Sequence, residues 1–165
     1  MLRLKVDNIY SSRCMEEKRR DKMLVSTSEI EVRYAETDQM GVVYHANYLI
    51  WMEVGRTQLI TDLGFNYAEL EKEGVLSPVL DIQVSYKKPI RYGQKAIVKT
   101  WIEEYNGFRV SYGYEIYNDE GELAVTGISQ HVCVKKDTFR PISFKKFHPI
   151  WHEAYEKAKK QIVNI

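Results

Sequence analysis

Between two patterned segments lies the run Tyr34-Ala35-Glu36-Thr37-Asp38-Gln39-Met40-Gly41-Val42-Val43-Tyr44-His45-Ala46-Asn47-Tyr48, which gathers the residue types able to do chemistry. Asp38 stands a few residues ahead of a segment with helical periodicity. The first N–H groups of a helix lack intrahelical acceptors and sit at the positive end of its dipole, so they can stabilise a developing oxyanion. A carboxylate within reach of that spot is the minimal equipment for acyl transfer, as direct nucleophile or as base for a water. Read alone, the same residues also suit a plainer role, since Asp is common at helix starts and Gly at turns. Other chemistries find less support. Gly127-Ile128-Ser129-Gln130-His131 lacks the second glycine of a nucleophile elbow and reads as mid-strand. His148 and His152 are spaced for one helix face, but Pro149 stands where a zinc-protease pattern needs Glu, and His131 with Cys133 makes too few ligands for structural zinc. No glycine-rich phosphate loop occurs, and acyl transfer by a carboxylate and a helix tip is expected to need no metal and no redox cofactor.

The elements that must position this run follow from periodicity. Ile30, Val32 and Tyr34 alternate with Glu29, Glu31 and Arg33, the pattern of a half-buried strand. From about His45 the period becomes helical, with Tyr48, Met52, Gly55, Leu59 and Leu63 on one face and Gly64 as a stop; the spacing predicts a main helix of about 18 residues. Gly55 in its middle costs about 1 kcal/mol of helix propensity, which implies that another backbone presses close there. A short helix is expected over Tyr67 to Glu73. Val75 to Lys136 reads as strands, with tight hairpins at Asn106-Gly107 and Asn118-Asp119-Glu120-Gly121 and a longer bend from Lys88-Pro89 to Gly93. A last helix is expected from Pro149, with a Lys-rich final turn suited to its dipole. The order predicts an α+β fold in which a single curled antiparallel sheet buries the long helix on its concave face. Long uncovered edges invite pairing, so a homodimer is expected, with a tetramer left open.

Composition narrows the partners. The 165 residues carry 24 basic and 23 acidic side chains, a net charge of +1 and 44% hydrophobic residues, which fits one globular domain. The balance argues against nucleic acid as partner, so any anion site must be local. Cys14 and Cys133 imply no disulfide framework, and the start at Met1 to Asp7 never builds the apolar core of a signal peptide. The longest stretch without Lys, Arg, Asp or Glu, Gln39 to Met52, is too short and polar to span a bilayer, and a cytoplasmic location is expected. Ser11 to Lys22 is polar and charged without an apolar stripe. The expected division is a flexible polar extension over 1–27, a domain over 28–146 and an appended helix over 147–165.

Tyr34, Asp38, Gly41, Val43, Tyr44, His45, Asn47 and Tyr48 together closely resemble the signature of the hotdog-fold thioesterases, in the 4-hydroxybenzoyl-CoA and YbgC-type branch. That pattern runs from a tyrosine to a Thr-Asp pair and on to Gly-Val-Val-Tyr-His-Ala-Asn-Tyr. The resemblance covers about Ser28 to Lys136. It implies a hotdog fold of about five strands around the central helix, hydrolysis of acyl- or aroyl-CoA thioesters, and a site formed across a dimer. By position it implies that Asp38 is the catalytic carboxylate, that a backbone N–H near His45 polarises the thioester carbonyl, that His45 orients substrate or relays a proton, and that Tyr34 supports the loop or the carboxylate. Val43, Tyr48, Trp51 and Met52 become pocket-wall candidates, with plain core packing as the alternative for each. Asn47 is expected as a structural hydrogen-bonder. Lys87, Lys88 and Arg91, in the bend between strands, are candidates for the CoA phosphates. An acyl carrier protein thioester is the less favoured substrate, since a docked protein would want a broader basic rim. A hotdog hydratase or dehydratase and a non-catalytic acyl-CoA-binding protein remain as alternatives; the first normally carries a His-Phe-Pro motif, which is absent.

Overall fold

The computed structural model describes residues 23–159. The expected leader, with Cys14, lies almost wholly outside the described residues. Strand β1 (Ser26–Glu31) begins inside the stretch assigned to that leader, two residues before the expected boundary. A single 3-10 turn (Tyr34–Glu36) redirects the chain, the loop carrying Asp38 follows, and α1 (Asn47–Asp62) then runs for 16 residues. Helix α2 (Tyr67–Lys72) leads through β2 (Val75–Leu76) into β3 (Val79–Tyr86), β4 (Lys95–Tyr105), β5 (Arg109–Tyr117) and β6 (Leu123–Val132). The short β7 (Val134–Lys135), α3 (Phe144–Phe147) and α4 (Pro149–Ala158) complete the described chain.

The five long strands form one antiparallel sheet in the order β1-β4-β5-β6-β3, and β2 pairs with β7 in a separate two-stranded piece. This is the expected α+β architecture of about five strands around a central helix. The inner face is set by period-two burial: Ala96, Val98, Thr100 and Ile102 of β4 and Val110, Tyr112, Tyr114 and Ile116 of β5 are all buried. Tyr48, Met52, Gly55 and Leu59 of α1 turn toward that face, as the spacing predicts, with Trp51 and Ile60 buried beside them. Gly55 sits where the sheet leaves no room: a Cβ there would stand 2.3 Å from Thr100 Oγ1 and 2.9 Å from Val98 Cγ1.

Two expectations shift. Helix α1 starts at Asn47 rather than near His45, because Tyr44–Ala46 form a turn in which the Tyr44 N–H is taken by the Glu36 carbonyl at 2.8 Å and the Asn47 N–H by that of Tyr44 at 2.9 Å. The strands expected up to Lys136 do not all join one sheet. At Cys133 the chain leaves the sheet, its N–H bonding to the Phe108 carbonyl at 3.1 Å, and β7 pairs with β2 instead. The appended C-terminal helix packs on the body: Trp151 stacks on Phe65 at 4.5 Å between centroids, and the Tyr155 hydroxyl meets that of Tyr112 at 2.8 Å.

The two sheet edges differ. β1 lies under α1, whereas β3 presents Val79, Leu80, Ile82 and Tyr86 as exposed apolar residues on an unpaired edge. Beside it the outer side of α1 exposes Leu49, Ile50 and Val54. None of the helices among the described residues is long and apolar enough to cross a membrane.

Candidate active site

The loop from Thr37 to Val43 is a closed, two-sided structure. Thr37 and Val43 pair as an isolated antiparallel bridge, the Asp38 N–H bonds to the Val42 carbonyl at 2.9 Å, and the Gly41 N–H returns to the Asp38 carbonyl at 2.9 Å. Gly41 holds φ +70°, which a side chain would strain. The loop is pinned from outside by the Val43 N–H on the Ile90 carbonyl at 2.8 Å, and by the Arg91 guanidinium on the Gly41 carbonyl at 3.1 Å.

Asp38 is half-buried. One of its carboxylate oxygens accepts the Met40 N–H at 2.8 Å, an Asx turn that sets the side-chain direction, and the other has no partner among the described residues. Its side chain lines a cleft of about 290 Å³ with Met40, Val43, His45, Tyr48, Tyr86 and Lys87. At the rim of the same cleft is the start of α1. Its N-cap position, Ala46, supplies no side-chain acceptor, and the N–H groups of His45, Ala46 and Tyr48 have no acceptor among the described residues. A carboxylate with one oxygen free thus shares a cleft with a helix tip whose donors are open.

The side chains around this tip hold it from two sides. Glu36 is 4% exposed although it is a carboxylate. Its oxygens accept the Arg33 N–H at 2.8 Å, the Arg33 guanidinium at 2.9 Å and the Trp51 indole N–H at 3.1 Å. Burial pushes its carboxyl up, but the bonds from Arg33 and Trp51 outweigh that and hold it below the usual carboxylate range. Its main-chain carbonyl accepts the Tyr44 N–H and, at 2.7 Å, the Asn47 side-chain amide, the structural role expected of Asn47. On the other side Tyr86, at the end of β3, donates its hydroxyl to the His45 carbonyl at 3.1 Å and sets its ring against those of His45 and Tyr48.

Of the residues expected at the site, Asp38, His45, Val43, Tyr48, Lys87 and Lys88 all line the one cleft. Met52 is 1% exposed and lines instead a second groove of about 250 Å³ between α1 and β3, with Leu49, Ile82, Arg56 and Ser129. Trp51 is buried against the core, where its indole N–H is spent on Glu36. Tyr34 does not reach the cleft: the 3-10 turn sends its ring outward, 78% exposed, edge-on to Tyr92 at 5.5 Å, and only its carbonyl serves the loop, accepting the Thr37 hydroxyl at 2.8 Å. Arg91 is occupied by Gly41, and Lys88 is ion-paired with Glu122, which leaves Lys87 as the cleft's unpaired cation among the described residues. Glu36 and Tyr86 were not singled out by the sequence. Tyr86 shares a strand face with Ile82 and Val84 beside Lys87, a signal for its place at the cleft, while nothing local distinguishes Glu36 from a solvated loop acid. Among the described residues no group of His, Cys, Asp and Glu side chains could hold a metal ion.

The chain matches the thioesterase-like superfamily over residues 32–154, a span that takes in β3 to β6, the Asp38 loop and most of α4. It is 67% identical to YneP of Bacillus subtilis, which is named as an acyl-CoA thioesterase, over 84% of this chain and the whole of that one. It is 30% identical to the acyl-CoA thioester hydrolase YbgC of Escherichia coli over 71% of this chain and 87% of that one. In structure it resembles a DHNA-CoA thioesterase from Staphylococcus aureus with a TM-score of 0.80 at 55% identity, covering 82% of this chain and 91% of that one. On the extent of these matches, and with the sheet, helix and loop arranged as above, the chain belongs to the thioesterase-like superfamily and has the hotdog fold.

Proposed function

We propose that the protein hydrolyses acyl- or aroyl-CoA thioesters to the free acid and CoA, with Asp38 as the reacting carboxylate and the tip of α1 as the oxyanion donor. The observation that carries this reading is the shared cleft: a carboxylate oxygen without a partner faces the same space as N–H groups without acceptors. Thioester cleavage needs that pair. The helix-tip N–H groups draw electron density from the carbonyl and stabilise the negative charge that builds on its oxygen. The Asp38 carboxylate either attacks the carbonyl carbon, giving a mixed anhydride that water opens, or removes a proton from a water that attacks in its place; in both routes the C–S bond breaks and CoA leaves as a thiolate. His45, whose ring stands in the cleft, orients the thioester or carries a proton to the departing sulfur. The relatives named for CoA thioesters support CoA as the carrier.

Val43 and Tyr48 form the wall beside the carbonyl, and the acyl group runs along α1 into the groove where Met52 lies. Lys87 meets a phosphate of CoA at the mouth. The exposed apolar edge of β3 and the outer side of α1 are the faces on which a second copy closes the site, giving a homodimer. The free thiol of Cys133 accords with the reducing cytoplasm.

The test is a panel of acyl- and aroyl-CoA thioesters with release of free thiol followed, on the full chain and on Asp38→Asn, with the mass of both proteins measured in solution. Hydrolysis by the parent and its loss in the variant is the expected result. Equal rates in the two would overturn the role of Asp38, and a monomeric active enzyme would overturn the shared site. In a single turnover in ¹⁸O water, label in the Asp38 carboxylate identifies an anhydride opened at its aspartyl carbonyl, since the general-base route places label in the product acid alone.

A further inference from the structure

We propose that the buried carboxylate of Glu36 is a positioning residue of this hydrolase, holding Asp38 at a set distance from the tip of α1; the proposal rests on the thioesterase reading above. Residue 36 makes two sets of bonds in two directions. Through its side chain it is tied to Trp51, one turn inside α1 beyond Asn47, and to the main chain of Arg33 before the loop. Through its main-chain carbonyl it is tied to Tyr44 and Asn47, where the loop ends and the helix starts. Thr37 and Asp38 follow it directly in the chain. A displacement of Glu36 relative to α1 is therefore a displacement of Asp38 relative to the open N–H groups, with a single residue, Thr37, and its bridge to Val43 between them.

The chemistry of the residue supports a role beyond filling space. A carboxylate removed from water is costly, and a neutral side chain would be the simpler occupant of a buried position. The charge is retained because three donors converge on it. The indole N–H is the one that matters for geometry, since both it and the carboxylate are buried and rigid: Trp51 is 1% exposed and Glu36 4%. The Arg33 guanidinium is 73% exposed and water can replace it. Reaction geometry tolerates little error, and a misplacement of about 1 Å can cost on the order of 100-fold in rate.

The experiment uses the full chain and the substrate that the panel above selects. Glu36→Leu keeps the bulk of the side chain but removes the acceptor for the indole; Trp51→Phe keeps the volume of a ring but loses the donor. Each is expected to lower kcat by about 10- to 100-fold with KM changed by less than about threefold, because CoA contacts lie elsewhere in the cleft. The double variant is expected to be little worse than either, as both remove one link. Glu36→Gln, which keeps an acceptor for the indole, is expected to hold kcat within about threefold of the parent. In an Asp38→Asn background Glu36→Leu is expected to leave the residual rate unchanged, a result that a merely structural role would not give. Arg33→Ala is expected to stay within about twofold of the parent, the value of an exposed ion pair. Melting curves confirm that each variant is folded at the assay temperature, and Trp51→Phe carries the test where Glu36→Leu does not fold. Parent-like kcat in folded Glu36→Leu or in Trp51→Phe, or losses that multiply with those of Asp38→Asn, would overturn the proposal. If instead Asp38→Asn is fully active, the reading of the site fails first and independently.

Discussion

Two polar regions lie along the same helix, and only one of them leaves bonding capacity unspent. At the tip of α1 the Asp38 loop leaves a carboxylate oxygen and several N–H groups open to a cleft. Two turns further on, beneath the middle of α1, a chain of polar groups is more deeply buried and more strongly perturbed. Tyr114 meets Ser129 at 2.8 Å, Ser129 meets His131 at 2.9 Å, and the His131 ring meets the Arg56 guanidinium at 3.1 Å and the Ser77 carbonyl at 3.3 Å. Burial, and then Arg56, push the His131 imidazole down to about 4, against the opposing pull of the Ser77 carbonyl. Burial likewise lifts the Cys133 thiol to about 11 and the Tyr155 hydroxyl to about 12. A shifted pKa in a cleft is a common mark of catalysis. Here the larger shifts sit in the closed network, where His131 and Ser129 spend their bonding capacity on each other and on neighbours. The open region is distinguished by unspent capacity. Proton affinity is therefore the poorer guide in this molecule, and available lone pairs and donors the better one.

The comparison breaks if the two regions respond alike to substitution. Asp38→Asn is expected to lower kcat/KM by about 10²- to 10⁴-fold with the melting temperature within a few degrees of the parent, since the amide oxygen can still accept the Met40 N–H. His131→Gln is expected to do the reverse. It leaves Ser129 and Arg56 imperfectly paired and costs about 2 kcal/mol of stability, while the folded fraction keeps its kcat. Steady-state kinetics and denaturant titration on the same two proteins decide it.

Acid sharpens the same contrast. Because the folded His131 has a lower pKa than the ordinary 6.5, the unfolded chain binds a proton that the native state refuses as the pH falls from about 6.5 to about 4. Stability falls through that window, by up to about 3 kcal/mol from this residue, and the slope disappears in His131→Gln. Glu36 has the opposite sign of origin: its carboxyl is held below its ordinary value, so its contribution is lost only at lower pH, as the folded group takes up its proton. Unfolding curves between pH 7 and 5 thus isolate the histidine.

Gly55 joins the two regions, since it lets α1 lie against β4. Gly55→Ala gains about 1 kcal/mol of helix propensity but drives a methyl into Thr100 and Val98, at an overpacking cost of about 1–3 kcal/mol. A net loss of about 1 kcal/mol is expected, relieved when Thr100→Ala removes the hydroxyl that crowds it. Unchanged stability in Gly55→Ala would show that the helix can ride outward freely.

How much of this was legible in the sequence depends on the range of each interaction. The strands and α1 are written in local periodicity, and Gly55 announced its contact because a glycine inside a helix has few other reasons to be there. Asp38 could be brought to the helix start because it adjoins it in the chain, whereas His45, Lys87 and Lys88 were suggested by the family resemblance; all four line one cleft. What misled was local geometry that period-two patterning does not encode. The 3-10 turn at Tyr34 breaks the alternation and sends that ring outward. Arg91 folds back on a carbonyl 50 residues away. Glu36 reads as a surface acid until its partner on α1 is known, 15 residues on. Tyr86 meets His45 across 41 residues, a pairing that only the sheet order creates.

The smallest effect tests the rim of the open region. Lys87 is exposed, lines the cleft, and has no ion pair among the described residues, whereas its neighbour Lys88 is held by Glu122. A single exposed cation facing a phosphate contributes about 1 kcal/mol or less at low salt, so Lys87→Gln is expected to raise KM for a CoA thioester by about two- to fivefold with kcat unchanged. Lys88→Gln is expected to do less, because the charge it removes is already neutralised. Raising the ionic strength to about 1 M, where the screening length falls to about 3 Å, should erase the difference between Lys87→Gln and the parent. A truncated thioester that lacks the nucleotide should show no difference at any salt. If Lys87→Gln instead lowers kcat on that truncated substrate, the lysine acts at the carbonyl rather than at the mouth, and the open region extends further along the cleft than the Asp38 loop and the tip of α1.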